Sequence, residues 1–295
     1  MSSATDSQPL VVCFGEILWD FLPDALYPGG APFNVGYHLS RHGCSVHLVS
    51  AVGADALGEE LRRRLVGWGL DTSGLRRQPH KPTGYVRAQL GADGGPAYDI
   101  ARNVAWDGIE PGGRSLAAAR KASALVFGSL AQRTSANQQA LDTLLDALPA
   151  DALRVFDVNL RPPYFERPLL RRRARQASLL KLNAAEAAYL AGNDDEKPGR
   201  EERDARTIFD RCGCRSIVIT AGARGAGWLL DGEWHWEPAR PVKVVDTIGA
   251  GDAFLAALVS GLLLTPKAPP ARLLAAACRR GEWVARHRGA TPAYG

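Results

Sequence analysis

The chain has 295 residues, of which 46% are hydrophobic, and this is enough to bury a large core. Its net charge of +5 is modest and spread along the chain, with no basic patch interleaved with aromatic residues, which argues against a nucleic-acid-binding protein. No stretch is apolar for long enough to cross a bilayer or to act as a secretion signal, and the five cysteines suggest no disulfide framework, so we expect a cytoplasmic protein that binds neither nucleic acid nor membrane.

Short apolar runs alternate with helical patterns along the chain. The runs cover residues 10–14, 46–52, 124–127, 153–156, 179–182 and 217–219. This succession predicts an α/β fold with a mainly parallel sheet and helices on both faces. We expect the polar first nine residues to be frayed. Four arginines gathered in one predicted helix are interpreted as its solvated face: Arg171, Arg172, Arg173 and Arg175.

Polar side chains follow two of the predicted strands. Asp20 ends the segment GEILWD, where an aspartate is most often a turn residue. The segment FDVNLRP places Asp157, Asn159 and Arg161 at the end of an apolar run. Side chains alternate along a strand, which predicts that these three lie on one side of it. Between these segments, residues 83–109 alternate like a hairpin with a glycine-rich turn.

Two further segments can be explained by local structure alone, without a function. KLNAAEAAYL carries Asn183 and Glu186 one helical turn apart, hence on one helix face, which alone is typical of a solvated helix start. ITAGARGAGWLL holds Thr220, Gly222 and Gly225, and alone it is typical of a glycine turn between two strands.

The segment DTIGAGDAF, residues 246–254, is the most informative one. A phosphate could approach the backbone amides of Gly249, Ala250 and Gly251, which the first turn of a helix leaves without intrahelical partners. The extended residues 242–245 precede the turn, and an apolar helix follows it as far as Gly261. Asp252 then lies in the first turn, where the helix dipole favours its ionised form and makes it a proton acceptor. The segment matches neither a P-loop nor a dinucleotide fingerprint, and an ordinary capping turn is the alternative.

Residues 246–259 resemble the C-terminal signature of the ribokinase-like (PfkB) family of carbohydrate kinases. The segment GGAPFNVGYHLSRHG, residues 29–43, is similar to the sugar-site segment of that family, and the similarity runs from about residue 10 to residue 292. The resemblance implies a three-layer αβα fold in one domain over residues 1–295. It also implies a small β-sheet lid formed by about residues 16–32 and 83–108.

The resemblance further implies transfer of a phosphoryl group from ATP to a sugar. Asp252 would be the base, with the amides of Gly249, Ala250 and Gly251 as the anion hole. The implied sugar-binding residues are Asp20, Gly29, Gly30, Asn34, Arg161 and Asp252. The implied nucleotide-binding residues are Asn183, Thr220, Gly222, Gly225, Gly249 and Gly251.

The resemblance implies Mg²⁺ as cofactor, held through water by Asn183 and Glu186. Asp246, together with the C-terminal residues 286–293, would surround adenine and a monovalent cation such as K⁺. Ile248 and Ala293 depart from the family's usual residues there, which leaves activation by K⁺ open.

Within the family, the segments GEILWD, NVAWD and DVNLRPPYF look most like those of bacterial fructokinases. The expected reaction phosphorylates the primary 6-hydroxyl of D-fructose to give fructose 6-phosphate. A 2-keto-3-deoxygluconate kinase, a ribokinase, another sugar or nucleoside kinase and a non-catalytic ligand-binding relative stay open as alternatives. The resemblance also implies a homodimer, because an exposed edge of the lid sheet commonly pairs with a second chain in this family.

Overall fold

The structure, a computed structural model, describes residues 8–22, 25–90 and 96–294. Most of the segment predicted to be frayed and the glycine-rich turn at 91–95 therefore lie outside the described residues. The strands are β1 (Leu10–Phe14), β2 (Leu18–Phe21), β3 (Leu26–Gly29), β4 (Ser45–Gly53), β5 (Leu75–Gln78), β6 (Gly84–Leu90), β7 (Pro96–Ile100), β8 (Ala124–Gly128), β9 (Leu153–Asp157), β10 (Leu179–Asn183), β11 (Ser216–Thr220), β12 (Gly225–Leu230) and β13 (Glu233–Pro238). The helices are α1 (Ala31–Arg41), α2 (Ala56–Gly67), α3 (Gly113–Ala119), α4 (Ser135–Ala147), α5 (Arg167–Gln176), α6 (Ala184–Ala191), α7 (Glu201–Cys212), α8 (Ala250–Leu264) and α9 (Pro270–Ala285).

Two sheets organise the molecule. The large sheet has the order β13-β12-β11-β10-β9-β8-β1-β4-β5 and is parallel from β11 to β5, while β12 and β13 extend it as an antiparallel hairpin. The small sheet, called the lid below, has the order β3-β2-β6-β7. The predicted α/β class and all six predicted strands are confirmed.

Helices cover both faces of the large sheet, because its strands are apolar on both sides. In β1, Val11 and Cys13 belong to one buried cluster, which includes residues of α1, α2, α8 and α9. Val12 and Phe14 belong to the other cluster, which includes residues of α3 to α7. Successive side chains of a strand point to opposite faces, so the sheet forms the middle layer of three.

Two local predictions are wrong. Helix α8 begins at Ala250 and continues to Leu264 rather than ending at Gly261. The arginine-rich helix α5 is not solvated all round, since Arg173 is fully buried. Its guanidinium donates to Gln132, Asp142, Gln176 and the carbonyl of Gln138. Arg173 therefore holds α5 against α4 and the turn before it.

The carboxyl ends of the parallel strands meet at one edge of the large sheet. There, Lys181 of β10 pairs in register with Asp157 of β9, and Asn183 pairs with Thr220 of β11. Ligand sites of open α/β sheets lie outside this edge. The strand order therefore brings together residues that are far apart in the sequence.

Candidate active site

The lid contributes the first part of the site through Asp20 of β2. The carboxylate of Asp20 lies over Gly29 of β3, where a Cβ atom would come within 2.2 Å of Asp20 Oδ2. Gly30 follows with a φ of 111°, and a Cβ there would lie 2.3 Å from the carbonyl oxygen of Glu16. Glycine is thus required at position 30 by the close approach of the Glu16 backbone, whereas a side chain at position 29 would displace the Asp20 carboxylate. Burial raises the pKa of Asp20 to about 6, and Arg161 opposes that shift.

A hydrogen bond joins the two ends of the chain at the centre of the site. Asn34 Nδ2, on α1, donates to Asp252 Oδ2, on α8, over 2.8 Å. Both side chains are buried, and Asn34 Oδ1 has no partner among the described residues. The Asn34 carbonyl can accept a further hydrogen bond, while its amide holds the aspartate in place.

Glu16 supports this contact from beneath. Its Oε1 accepts the amide of Ala31, the first residue of α1, over 3.1 Å, and its Oε2 has no partner among the described residues. Burial raises the pKa of Glu16 to about 7. Glu16 therefore anchors the start of the helix that carries Asn34, a role that sequence reasoning missed.

The first turn of α8 has the predicted shape. Gly249 caps the helix with a φ of 77°, and a Cβ there would lie 2.5 Å from Ala290 Cα, so only glycine fits. In the described part of the chain, the amides of Gly249 and Gly251 donate to no acceptor. The amide of Ala250 instead donates to the carbonyl of Thr247 over 3.3 Å. Two of the three predicted amides are thus free for an anion, and the third is engaged.

Asp252 lies in the first turn of α8 as predicted, but its burial opposes the ionised form that the helix dipole favours. Burial raises the pKa of Asp252 to about 6, and Asp157 adds to the shift. Lys181, Asn34 and Arg161 oppose it. Most of this carboxyl group is still ionised at neutral pH, and a pKa near the working pH suits a general base.

A buried ion pair lies directly behind the first turn of α8. Lys181 Nζ binds Asp157 Oδ1 over 2.9 Å and Oδ2 over 3.2 Å. A Cβ on Gly251 would come within 3.1 Å of the same ammonium group. Burial disfavours charge on Lys181, but Asp157, Glu186 and Asp252 outweigh it and raise its pKa. Sequence reasoning missed Lys181, which stands in the quoted segment KLNAAEAAYL without a role.

Asn183 and Glu186 form a reciprocal cap at the start of α6. Asn183 Oδ1 accepts the amide of Glu186 and Glu186 Oε2 accepts the amide of Asn183, each over 2.8 Å. Glu186 Oε1 accepts the amide of Leu160, also over 2.8 Å. Glu186 is buried rather than solvated, and each of its oxygens keeps a further lone pair.

The hairpin between β11 and β12 carries the remaining predicted nucleotide residues. Thr220 ends β11 next to Asn183, and its hydroxyl group donates to the carbonyl of Leu182 over 3.4 Å. Gly222 has a φ of 57° and nothing within 4 Å of its Cβ position. Gly225 is different, since a Cβ there would lie 2.2 Å from the carbonyl oxygen of Glu237. Packing against β13 is therefore sufficient to explain Gly225.

Asp246 ties the loop before α8 to the C-terminal segment. Its Oδ1 accepts the amide of Ile248 over 2.9 Å, and its Oδ2 accepts the amide of Gly289 over 3.0 Å. The predicted cation ligand thus already holds two backbone segments together. Within the described ranges, no group of three or more His, Cys, Asp and Glu residues could hold a metal ion.

The segment after β9 departs from its prediction. The strand ends at Asp157, and Asn159 has a φ of 38°, so the alternation does not continue to Arg161. Arg161 is exposed, and its Nη1 donates to the carbonyl of Leu160. Its charge still lowers the pKa values of Glu16, Asp20 and Asp252 against the effect of burial, which places it at the mouth of the site. Separately, none of the helices in the described ranges is both long and apolar enough to cross a membrane.

Comparisons with known proteins agree with this geometry. The sequence profile of the pfkB family carbohydrate kinases matches residues 10–294. The aminoimidazole riboside kinase of Salmonella typhimurium is 32% identical over 246 residues, which are 81% of this chain and 73% of that protein. The fructokinase of Klebsiella pneumoniae is 29% identical over 263 residues, which are 84% of this chain and 82% of that protein.

Among solved structures, an uncharacterized sugar kinase of Pyrococcus horikoshii in complex with ATP has a TM-score of 0.80 at 27% identity. The match covers 96% of this chain and 94% of that one, which confirms the ribokinase-like fold. With a family profile that spans nearly the whole chain, and with the signature residues Asn34 and Asp252 in contact, the chain belongs to the pfkB family of carbohydrate kinases.

Proposed function

We propose that this carbohydrate kinase transfers the γ-phosphoryl group of ATP to the primary 6-hydroxyl of a hexose, with D-fructose as its substrate. The observation that carries the proposal is the 2.8 Å contact between Asn34 and Asp252. It joins the proposed sugar-site segment to the proposed base, beside two helix amides that are free to receive a phosphate.

The reaction requires little of the protein beyond position and charge. The sugar hydroxyl attacks the γ-phosphorus while Asp252 accepts its proton, and the bond from the γ-phosphorus to the oxygen that bridges it to the β-phosphorus breaks. ADP leaves with that oxygen. General base catalysis of this kind contributes about 10²- to 10⁴-fold in rate.

The remaining residues bind and orient the two substrates. The amides of Gly249 and Gly251 donate to the phosphoryl oxygens, and the loss of one such donor costs about 10²- to 10³-fold in rate. Lys181 supplies positive charge behind them, 3.1 Å from the Cβ position of Gly251. Asp20 and Asn34 Oδ1 accept hydrogen bonds from sugar hydroxyls, and Arg161 contacts a sugar or phosphate oxygen. Thr220, Asn183 and Gly222 face the nucleotide from the ends of β10 and β11.

Mg²⁺ fits this site as a water-bound ion carried with the nucleotide. Glu186 and Asn183 already accept backbone amides, so they suit hydrogen bonds to bound water better than direct ligation. When bound, Mg²⁺ neutralises charge on the phosphate oxygens. Asp246 is the proposed contact for a monovalent cation, and a comparison of K⁺ with Na⁺ in the assay buffer tests it.

The named relatives leave one rival substrate class. A fructokinase and an aminoimidazole riboside kinase are about equally similar to this chain. A riboside presents a primary 5-hydroxyl that the same base could deprotonate. Both substrate classes therefore belong in one experiment.

The test is a coupled assay of ADP release with fructose, tagatose, ribose, 2-keto-3-deoxygluconate, adenosine and aminoimidazole riboside. The Asp252→Asn variant, prepared in the same way, measures contaminating kinase. We expect the highest kcat/KM with fructose. A higher value with a riboside would replace the proposed substrate, and wild-type rates no greater than those of the variant with every acceptor would refute the kinase itself.

The proposed homodimer would form through the lid, whose outer strands are β3 and β7. An edge strand offers unpaired backbone groups to a second copy. Light scattering on the wild-type protein measures the mass and tests this proposal directly.

A further inference from the structure

A second cavity lies away from the candidate active site, between α8, α9 and the end of α1. Its volume is about 670 Å³, which falls in the range of small-molecule sites. Asp252 is in the first turn of α8, whereas the cavity is lined by the last part of that helix, from Ala257 to Thr265. Gly261 is nine residues beyond Asp252, or about 13 Å along the helix axis. This cavity is therefore separate from the site of phosphoryl transfer.

The charged residues that line the cavity are all arginines. Arg272, Arg279 and Arg280 line it from one face of α9, and none of the aspartates or glutamates that the structure describes lines it. Within the described residues, none of the three guanidinium groups lies within ion-pair distance of a carboxylate. Arginines on a protein surface are commonly paired or fully solvated, yet these three converge on one volume.

Helix dipoles account for only part of this charge. The C-terminal ends of α1 and α8 favour nearby cations, and they could stabilise Arg279 and Arg280. Arg272 is in the first turn of α9, which contains no acidic residue, so it faces the positive end of its own helix. An anion in the cavity would relieve this repulsion.

The floor of the cavity is apolar and aromatic. Leu264, Leu273 and Trp283 line it, and Arg280 lies 4.9 Å from the ring centre of Trp283 and 4.6 Å from that of Tyr294. These rings hold the Arg280 guanidinium in place rather than leaving it free in solvent. His42 also lines the cavity, and its buried Nε2 has no partner among the described residues. The lining thus combines apolar and aromatic side chains with guanidinium groups that have no carboxylate partner among the described residues.

We propose that this cavity is a second ligand site, which binds a small molecule carrying an anionic group on an aromatic or apolar body. The guanidinium groups of Arg272 and Arg279 bind the anion, and Trp283 with the leucines binds the body. Phosphate and carboxylate share this chemistry, and the experiment distinguishes them.

The probe is the fluorescent sulfonate 8-anilinonaphthalene-1-sulfonate, titrated into the wild-type protein with ADP and fructose in excess to fill the catalytic site. Its uncharged analogue, N-phenyl-1-naphthylamine, measures the apolar contribution. The variant R272A/R279A removes two exposed arginines of the cavity. The matched control R114A/R203A removes two exposed arginines from α3 and α7 and changes the net charge equally. Ala276→Trp, which fills the cavity, is a second variant.

We expect the sulfonate to bind once per chain, and R272A/R279A to weaken it at least about tenfold, because charge-assisted hydrogen bonds are lost. R114A/R203A should bind as the wild type does, and Ala276→Trp should abolish binding. Displacement by phenyl phosphate or by benzoate identifies the preferred anion. Equal affinity in R272A/R279A and the wild type, equal binding of the uncharged analogue, or displacement by neither anion would overturn the proposal.

Discussion

Replacement of Asn34 by Ala should shift the pH dependence of turnover, because its amide is a donor to the proposed base. Asn34 Nδ2 and Asp252 Oδ2 are 2.8 Å apart, and both side chains are buried. A hydrogen bond to a charged group contributes about 1.5–3 kcal/mol, and one pKa unit corresponds to about 1.4 kcal/mol. Losing a donor to the ionised form raises a carboxyl pKa. The acidic limb should therefore move upward by about 1–2 units from its wild-type position near 6.

The measurement is kcat/KM for the sugar between pH 5 and 9 at saturating ATP, since this ratio reports the ionisation of the free enzyme. Asn193→Ala is the matched control, because Asn193 Nδ2 donates to Asp204 Oδ1 over 2.9 Å in the same kind of contact away from the site. A limb in Asn34→Ala that stays within about 0.3 units of the wild type, even with a raised KM, would refute this account of the base.

Three further changes test the site. Asp252→Asn should lower kcat by about 10²- to 10⁴-fold, while calorimetry should show nearly unchanged sugar affinity. A variant that keeps a tenth of wild-type turnover would disprove the assignment of Asp252 as the base. Lys181→Met leaves the buried Asp157 unpaired and should lower the unfolding free energy by about 3–5 kcal/mol. Adding Asp157→Asn should restore stability but not turnover. Recovery of both would contradict a role of Lys181 in binding phosphate. Burial raises the pKa of Glu16 in the folded state to about 7, so its stabilising contribution is present below pH 4.5 and is lost as the pH rises through about 7. Glu16→Gln should therefore have a higher unfolding free energy than the wild type at pH 8, by up to about 3 kcal/mol, and the same value at pH 4. A difference in unfolding free energy that does not depend on pH would exclude titration of Glu16 as the cause.

The sequence was sufficient to predict six strands of the large sheet, because parallel strands buried on both faces are continuous apolar runs. Those six runs needed no tertiary information. The arginine-rich helix α5 shows the opposite case. Arg173 is buried because α4 and the turn before it offer Gln132, Asp142 and the carbonyl of Gln138, and no local pattern reveals that these groups will surround it.

The site was predictable where a residue belongs to a signature and hidden where it depends on a neighbouring strand. Asn34 and Asp252 were identified from their segments, although their contact spans 218 positions. Lys181 interrupts an apolar strand and could equally have been a solvated edge residue. Its partner Asp157 is 24 residues away, and only the adjacency of β9 and β10 brings them together. A search for a lysine that pairs in register with an acidic residue at the end of a neighbouring strand could have found it.

The pairing of Lys181 with Asp157 explains how a buried lysine can stay charged before a phosphate binds, without destabilising the ligand-free protein. An isolated buried ammonium would lose its proton, but the adjacent carboxylate preserves the charge and makes the pair neutral as a whole. Asp157 binds the ammonium from β9, and Gly251 has no side chain to separate that ammonium from the first turn of α8. The proposed phosphate site is therefore next to the positively charged member of the ion pair as well as the free amides. A Cβ atom at position 251 would lie 3.1 Å from the ammonium group and would require it to shift by a few tenths of an ångström.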